Sequence, residues 1–163
     1  MIKLMRIDER LIHGQVANDW SRKLAVNAIV VANDEAATND LIKTSLRMAA
    51  PQGIKVVIKT IDEAIRQLND PRAAHLEIFV VVNCPEDALK IVKNVPGIPY
   101  LNVGNFGRIN KDKMNRYQLT DNLYVNDAEA DVFREIIATG LDCEFRTLIS
   151  DSKVSIKSLI DKK

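Results

Sequence analysis

The chain has 163 residues, of which 47% are hydrophobic and 28% charged, and 23 basic and 22 acidic residues give a formal net charge of +1. This length and composition are typical of one globular domain with a single well-formed core. The balanced charge argues against a general binder of nucleic acids or membrane surfaces, because both usually carry a basic excess. We therefore expect no nucleic-acid partner and no useful affinity for lipid.

The sequence carries no signal for export or for insertion into a bilayer. No apolar run approaches the roughly 18 residues that a membrane-spanning helix needs, and residues 1–10 lack the apolar segment of a signal peptide. We expect a cytoplasmic protein. Cys84 and Cys143 lie far apart without a CxxC or histidine-rich context, so we expect buried reduced thiols and no zinc site.

Short apolar runs alternate with helical patterns along the chain. The runs are rich in Val and Ile, which is typical of strands covered on both faces in a parallel sheet. They lie at residues 2–7, 27–32, 54–58, 76–82, 100–103 and 143–149. Repeated strand–helix–strand units predict an α/β fold, a single three-layer α/β/α domain over residues 1–163 with a mostly parallel central sheet.

Periodicity and capping signals predict the helices. After His13, the recurrence of Val16, Trp20 and Leu24 every fourth residue gives one apolar stripe, which places Trp20 in the core. A second inward stripe is predicted at Leu41, Ser45, Met48 and Ala49, in a helix that ends before Pro51. Further helices are predicted by Thr60 with Glu63 (61–69), by Pro85 with Glu86 and Asp87, by Asn126 with Glu129 and a closing Gly140, and at residues 155–163.

Residues 104–122, GNFGRINKDKMNRYQLTDN, have no helical period and are polar and basic. A long loop directly after a strand is often functional, whereas a surface hairpin is the simpler interpretation. Both stay open. Asn105, Arg108, Lys111 and Lys113 either line the rim of a site or contact a partner, or they belong to a solvated loop.

His13, one of two histidines, stands in the segment RIDERLIHGQV, residues 6–16. The first strand ends near residue 7 or 8, so His13 lies in the first strand-to-helix loop, where open α/β sheets bind ligands. The backbone N–H groups of Gly14 and Gln15 begin the next helix and are free to bind an anion. Gly14 has no Cβ to block a close approach.

An imidazole beside an anion site indicates phosphoryl transfer through a phosphohistidine, because neutral imidazole is a nucleophile near neutral pH. Arg6 and Arg10 add positive charge, and the guanidinium group matches phosphate geometry. The alternative is that His13 is a helix cap or a surface residue. A dinucleotide site, a Walker loop, a serine-hydrolase elbow and a zincin motif are all disfavoured, because GxGxxG, GxxxxGK[ST], GxSxG and HExxH are lacking.

The segment RIDERLIHGQV closely resembles the active-site segment of IIB components of the bacterial sugar phosphotransferase system, mannose/fructose/sorbose class. The resemblance continues through IVVANDEAATND (29–40), AAPQGIKV (49–56) and LNVGN (101–105). It implies that a phosphohistidine of the IIA component donates to His13, which then phosphorylates a sugar carried in by the membrane components IIC and IID. The donor is expected on a separate chain, with the IIB protein peripheral to the permease.

The same resemblance suggests roles for the neighbours of His13. Arg10 matches the phosphate-binding arginine and Asp8 the acidic residue, and the family is thought to use the Nδ1 atom of the histidine. Arg10 and the backbone amides would meet the phosphoryl charge without a cofactor or metal. Asp8 either orients Arg10 or the imidazole, or it is a turn residue at the end of the strand. Arg6 is expected within the strand and outside the site.

The residues also leave alternatives to a phosphocarrier. A non-catalytic regulatory or binding module with the same fold is the main alternative, although both His13 and Arg10 are present. A metal-dependent hydrolase is disfavoured because the sequence lacks clustered ligands. His75 is expected in a surface loop, and neither the sugar nor a possible homo-oligomer can be derived from the residues.

Overall fold

The computed structural model describes residues 1–162, which form strands and helices in alternation. The strands are β1 (Ile2–Asp8), β2 (Ala28–Ala32), β3 (Lys55–Lys59), β4 (Ile78–Val82), β5 (Tyr100–Asn105), β6 (Tyr117–Thr120), β7 (Leu123–Val125), β8 (Asp142–Phe145) and β9 (Val154–Ser155). The α-helices are α1 (Gly14–Leu24), α2 (Asp34–Thr38), α3 (Asp40–Ala49), α4 (Ile61–Asn69), α5 (Pro85–Asn94), α6 (Asp127–Ala138) and α7 (Ile156–Asp161), and a 3-10 helix spans Pro71–His75.

The central sheet has the strand order β3-β2-β4-β1-β5-β8-β9. All neighbouring strands from β3 to β8 pair in parallel, and only the short β9 pairs antiparallel, with β8. Parallel pairing aligns the carboxyl ends of these strands along one edge of the sheet. The prediction of a mostly parallel sheet is confirmed.

Each face of the sheet is covered by its own group of helices. Leu4, Ile29 and Phe79 pack with Trp20 and the residues of α1, α2 and α3 on one face. Met5, Ile7 and their neighbours pack with α4, α5, α6 and α7 on the other. This arrangement confirms the three-layer α/β/α architecture, and it shows why the strand sequences are apolar almost throughout.

One strand prediction is too long, and one helix was not predicted. The strand predicted at 143–149 ends at Phe145, because the chain turns soon afterwards, where the Asp151 amide donates to the Leu148 carbonyl oxygen. The short helix α2 was not predicted; Asn33 caps it by accepting a hydrogen bond from the Ala36 amide. The final helix falls within the predicted range, of which residue 163 lies outside the described residues.

The apolar stripe predicted for α3 is wrong. Leu41 and Met48 are 78% and 81% exposed, whereas Leu46 is buried and Ile42 and Ala49 pack against the same cluster. The helix carries two apolar stripes one residue apart, and helical periodicity alone does not say which of them faces the sheet. Packing against β2 and β3 selects the second stripe.

Residues 104–122 form a braced hairpin after β5. Strand β5 continues to Asn105, the chain turns through residues 106–116, and β6 pairs antiparallel with β7. Arg116 anchors the turn through two hydrogen bonds to the Glu129 carboxylate, at 2.9 and 2.8 Å. The hairpin interpretation is confirmed for the second half of the segment.

The prediction of buried thiols is confirmed for Cys143 and is wrong for Cys84. Cys143 is buried, Cys84 is half-buried and both are free thiols; burial raises the pKa of Cys143 to about 12. Among the helices of residues 1–162, none is long and apolar enough to cross a bilayer.

Gly107 is the glycine on which the turn of residues 106–116 depends most. Its φ is +89°, and a Cβ there would lie 1.8 Å from the Tyr124 carbonyl oxygen. Gly53 has a similar φ of +82° but open space around it.

We expect Gly53→Ala to lower the free energy of unfolding by about 1–2 kcal/mol from backbone strain alone, and Gly107→Ala to lower it by about 1–3 kcal/mol more from overpacking. Urea unfolding checks this, and equal losses in the two variants would contradict it.

Candidate active site

His13 lies in a crevice outside the carboxyl end of β1. Helix α1 follows β1 onto one face of the sheet, whereas α5, which follows the neighbouring strand β4, covers the other face. Loops that diverge in this way open a crevice at the strand ends, which is where open α/β sheets bind ligands. The predicted position of His13 is confirmed.

A tight turn holds the histidine in the crevice. The Leu11 amide donates a hydrogen bond to the Asp8 carbonyl oxygen at 2.9 Å. Leu11 has a φ of +60°, a left-handed conformation that costs a non-glycine residue roughly 1–3 kcal/mol. The side chains of Leu11 and Ile12 are buried in the core beneath α1, and this packing offsets the strain. The turn therefore presents His13 on a rigid base.

The Asp8 carboxylate joins the histidine to the sheet. Its Oδ2 atom lies 3.0 Å from His13 Nε2 and 3.1 Å from Arg6 Nη2, and its Oδ1 atom accepts a hydrogen bond from the Arg10 amide at 3.0 Å. Asp8 is completely buried, whereas the His13 side chain is 22% exposed. The geometry matches both interpretations of Asp8. Its Oδ2 atom faces the imidazole, and its Oδ1 atom and carbonyl oxygen close the turn at the end of the strand through the Arg10 and Leu11 amides.

Asp8 stays ionised despite its burial. Burial by itself raises the pKa of this carboxyl group, but the hydrogen bond with His13, the charge of Arg6 and the hydrogen bond from the Arg10 amide together lower it below its ordinary value of 3.8. An ionised carboxylate only accepts hydrogen bonds. The Nε2 atom of His13 must therefore carry the hydrogen, which leaves the Nδ1 lone pair of the neutral ring free.

The amino end of α1 is open to an anion. His13 is its N-cap residue but makes no side-chain capping bond, and the first turn contains no acidic residue. The other six helices in residues 1–162 have either a capping side chain or acidic residues in the first turn. The first backbone N–H groups of a helix lack intrahelical partners, so Gly14 and Gln15 keep free amides next to the imidazole, as predicted.

The structure does not bring the Arg10 guanidinium group into contact with His13. The Arg10 side chain is exposed, and within residues 1–162 no hydrogen bond or ion pair to it is found; only its amide reaches Asp8. The Gln15 side chain donates instead to Asp19 at 2.9 Å, so only the backbone of Gln15 faces the anion position. The Arg10 side chain is free to move toward a ligand.

The sequence interpretation placed Arg6 in the first strand, which is confirmed, and outside the site, which is wrong. Its buried guanidinium group binds the Asp8 carboxylate, which in turn contacts His13. A charged residue inside an apolar strand was the available signal, because a buried charge requires a partner. Asn102 of β5 is a second such residue, and it accepts a hydrogen bond from Arg6 Nη1 at 2.6 Å.

The remaining predicted residues lie at different distances from the turn. Asn105 and Arg108 are connected to it, since the Asn105 carbonyl accepts from the Glu9 amide at 2.9 Å and the Arg108 amide donates to the Glu9 carboxylate at 3.3 Å. Lys111 stacks on Tyr124 at 4.8 Å from the ring centroid, and Lys113 is exposed.

Trp20 and His75 lie where they were expected. Trp20 is completely buried in the core beneath α1. His75 is an exposed residue that precedes β4, at the edge of the sheet opposite His13. Within residues 1–162, no three carboxylate, imidazole or thiol groups come together as a potential metal site.

The buried Asp8 makes stability depend on pH. Because its pKa is lower in the folded protein than the ordinary value of 3.8, its contribution is complete above that pH and is lost as the pH falls through the folded pKa. Asp8→Asn leaves Arg6 without its counter-ion and should cost about 3 kcal/mol at neutral pH. The difference from wild type should narrow at about pH 3, because unfolding of the wild type then takes up a proton on this carboxyl group.

Urea unfolding at both pH values checks this expectation. Asp112→Asn, which removes an exposed carboxylate of the hairpin turn, is the control and should stay within about 0.5 kcal/mol of wild type. An Asp8→Asn difference that is equally large at both pH values would contradict the assignment.

Comparisons with known proteins agree with this geometry. Residues 2–163 match the family of the PTS system sorbose subfamily IIB component. A probable phosphotransferase enzyme IIB component of Streptococcus pyogenes is 40% identical over 163 residues, covering 99% of this chain and 100% of that protein. The mannose-specific EIIAB component of Escherichia coli is 31% identical over 162 residues, which cover 99% of this chain and 49% of that longer protein.

The solved structures include a domain of the same kind. The IIBSor domain of the sorbose permease of Klebsiella pneumoniae superimposes with a TM-score of 0.92 at 31% identity, covering 100% of this chain and 98% of that one. The resemblance seen in the RIDERLIHGQV segment thus extends over the whole chain. The chain belongs to the sorbose subfamily of IIB components of the sugar phosphotransferase system.

Proposed function

We propose that residues 1–163 form one phosphocarrier domain, which accepts a phosphoryl group from a phosphohistidine of the IIA component onto His13. It then transfers that group to a sugar imported through the membrane components IIC and IID. The observation that carries the proposal is the imidazole of His13, fixed at Nε2 by Asp8 and placed at an uncapped helix end. Family membership supports the reaction class, since IIB components of this system are phosphotransferases.

Nδ1 of His13 is the proposed nucleophile. With the Nε2 hydrogen bonded to Asp8, only the Nδ1 lone pair can attack phosphorus. As the new N–P bond forms, the N–P bond of the donor histidine breaks and its nitrogen keeps the electron pair. The ring of His13 becomes a cationic imidazolium that retains its Nε2 hydrogen, and the Asp8 carboxylate stabilises that charge.

The phosphoryl oxygens meet positive potential without a metal ion. The free amides of Gly14 and Gln15 at the amino end of α1 suit an anion. The exposed guanidinium group of Arg10 can approach the same oxygens, and its planar donors match phosphate geometry. Charge stabilisation of this kind is often the largest single contribution to phosphoryl transfer.

The second transfer reverses the charge change on His13. A sugar hydroxyl attacks phosphorus and releases its proton to solvent, and the N–P bond breaks with its electron pair returning to Nδ1. The ring leaves as neutral imidazole because Nε2 still carries its hydrogen. We infer that the protein works in the cytoplasm, at the permease, since the acceptor sugar is presented by membrane components. The name of the EIIAB relative, which combines IIA and IIB in one protein, supports IIA as the donor.

Phosphorylation at His13 is directly testable. Incubation with the phosphorylated IIA component of its own system should label the protein, and the label should be lost in acid and retained in base, as expected of phosphohistidine. His13→Ala should abolish labelling, whereas His75→Ala, which removes the exposed histidine at the opposite edge, should not. Peptide mapping identifies the labelled residue. Label in the peptide of His75, or labelling that survives in His13→Ala, would refute the assignment.

Arg10 should act on the reaction and not on the fold. Arg10→Gln should leave the free energy of unfolding within about 0.5 kcal/mol of wild type, because the side chain is exposed. The transfer rate should fall by about 10²-fold or more, as when one charge-stabilising donor is removed. Arg10→Lys should recover part of the rate, since an ammonium group cannot make the two-pronged contact.

Transfer kinetics measured beside thermal melting separate the possibilities for Arg10. Arg22→Gln removes an exposed arginine at the other end of α1 and should transfer at the wild-type rate. A wild-type rate in Arg10→Gln would exclude Arg10 from the site.

A further inference from the structure

Arg6 is held by polar groups of its own strand β1, of the neighbouring strand β5 and of Arg146, which follows β8. Its Nη1 atom donates to Asn102 Oδ1 at 2.6 Å and to the Arg146 carbonyl oxygen at 3.3 Å, and its Nη2 atom donates to Asp8 Oδ2 at 3.1 Å. Asn102 is fixed in turn, since its Nδ2 atom donates to the same Arg146 carbonyl at 3.1 Å. The side chain of Arg6 is 3% exposed.

The fold leaves space for one orientation of this guanidinium group. A Cβ on Gly104 would lie 2.0 Å from Arg6 Nη2, so only glycine leaves room for the group at this position of β5. On the other side the ring of Trp20 stands 5.1 Å from the Arg6 guanidinium carbon. The Arg6 guanidinium group is therefore fixed by packing, and its hydrogen bonds to the side chains of Asn102 and Asp8 have a defined direction.

We propose that Arg6 is a positioning residue for phosphotransfer, which holds the Asp8 carboxylate ionised and in place so that the His13 proton stays on Nε2. The inference rests on the proposed function of His13. Arg6 does not touch the reacting atoms, because Asp8 lies between it and the ring.

The chemistry of both transfers requires this arrangement. The attack by Nδ1 creates a cationic ring, and an ionised Asp8 is the counter-charge 3.0 Å from Nε2. The transfer to the sugar needs neutral imidazole as the leaving group, so Asp8 must not remove the Nε2 proton. A buried carboxylate without a cation would be protonated more readily, and it would then no longer serve as the counter-charge.

No other arginine of the site replaces Arg6. The Arg10 side chain makes no contact with Asp8, and Arg146 is ion-paired with Glu144 at 2.8 Å. Arg146 is nevertheless a matched control. Its guanidinium carbon lies 4.9 Å from the centroid of the Trp20 ring and its side chain is 11% exposed, so its loss disturbs the same part of the core without touching Asp8.

The groups around Asp8 determine how the reaction depends on pH. Those that titrate or carry charge are Arg6 on β1 and His13 on the turn. Glu144 of β8 and Arg146, which follows β8, face the Arg6 guanidinium group and not Asp8. Strand β5 contributes the neutral amide of Asn102, and the elements α1, β2 and β4 contribute apolar side chains at this point, namely Val16, Ala17, Ile29, Phe79 and Val81. Removal of the Arg6 charge raises the pKa of Asp8, because burial is then less opposed.

Phosphoramidate, a small P–N donor, tests the inference without a partner protein. The rate of His13 phosphorylation is measured at about pH 5.5 and about pH 7.5 for wild type, Arg6→Gln, Arg6→Lys and Arg146→Gln. In Arg6→Gln the ratio of the acid rate to the neutral rate should be lower than in wild type, by up to about tenfold for each unit by which the pKa of Asp8 rises above 5.5. Arg6→Lys should lie between them, and Arg146→Gln should keep the wild-type ratio.

The ¹⁵N chemical shifts of His13 provide a second measurement that loss of stability does not affect. The hydrogen should sit on Nε2 in wild type and Arg146→Gln, and should be shared between both nitrogens in Arg6→Gln. If Arg6→Gln does not fold, Asn102→Ala removes one bond to Arg6 and should shift both readouts in the same direction. Wild-type rate ratios and ¹⁵N shifts in the folded variant, or equal changes in Arg146→Gln, would overturn the proposal. Labelling that persists in His13→Ala would instead overturn the proposed function.

Discussion

The candidate site depends on one buried carboxylate. Asp8 ends the central strand β1 with no solvent exposure, and a charge in that position is tolerated only where it is paired and hydrogen-bonded. Arg6 supplies the counter-charge, and the Arg10 amide and His13 Nε2 supply the hydrogen bonds. These three requirements fix the path of the turn and the orientation of the imidazole. They explain why a strained Leu11 is retained, since the turn must come back to Asp8 within a few residues.

The pairing of buried charges continues across the sheet from β1 to β5 and β8. Residues two apart on a strand share a face, so Arg6 and Asp8 both point beneath α1. Asn102 of β5, Glu144 of β8 and Arg146, which follows β8, lie on the same face, where Gly104 leaves room for Arg6. The four charges of this stripe balance, with Arg6 beside Asp8 and Arg146 beside Glu144. Both guanidinium groups contact the Trp20 ring, at 5.1 and 4.9 Å from its centroid, and such cation–π contacts stabilise an apolar ring packed over a polar stripe.

Sequence patterns revealed what is local and missed what depends on strand order. The apolar runs gave the strands, and the turn residues gave His13, Asp8 and the free helix end, because each signal lies within a few residues. Arg6, Asn102 and Arg146 meet only through the pairing of β1, β5 and β8, which no single segment encodes. The sequence signal for this cluster was the alternation of polar residues in RID (6–8), NVG (102–104) and EFR (144–146). The stripe of α3 failed for a related reason, since the sheet and not the helix selects Leu46 over Leu41.

The two arginines near His13 differ in how firmly the fold holds them. Arg6 lies on a strand, and its guanidinium group donates hydrogen bonds to Asn102, Asp8 and the Arg146 carbonyl. It therefore holds the Asp8 carboxylate in one position before and after each transfer. Arg10 lies on the exposed side of the turn with only its amide fixed. In the proposed reaction the proton on Nε2 must never move, whereas the phosphoryl group arrives from one partner and leaves to another. A rigid cation suits the first requirement and a mobile one the second, and the fold places each arginine accordingly.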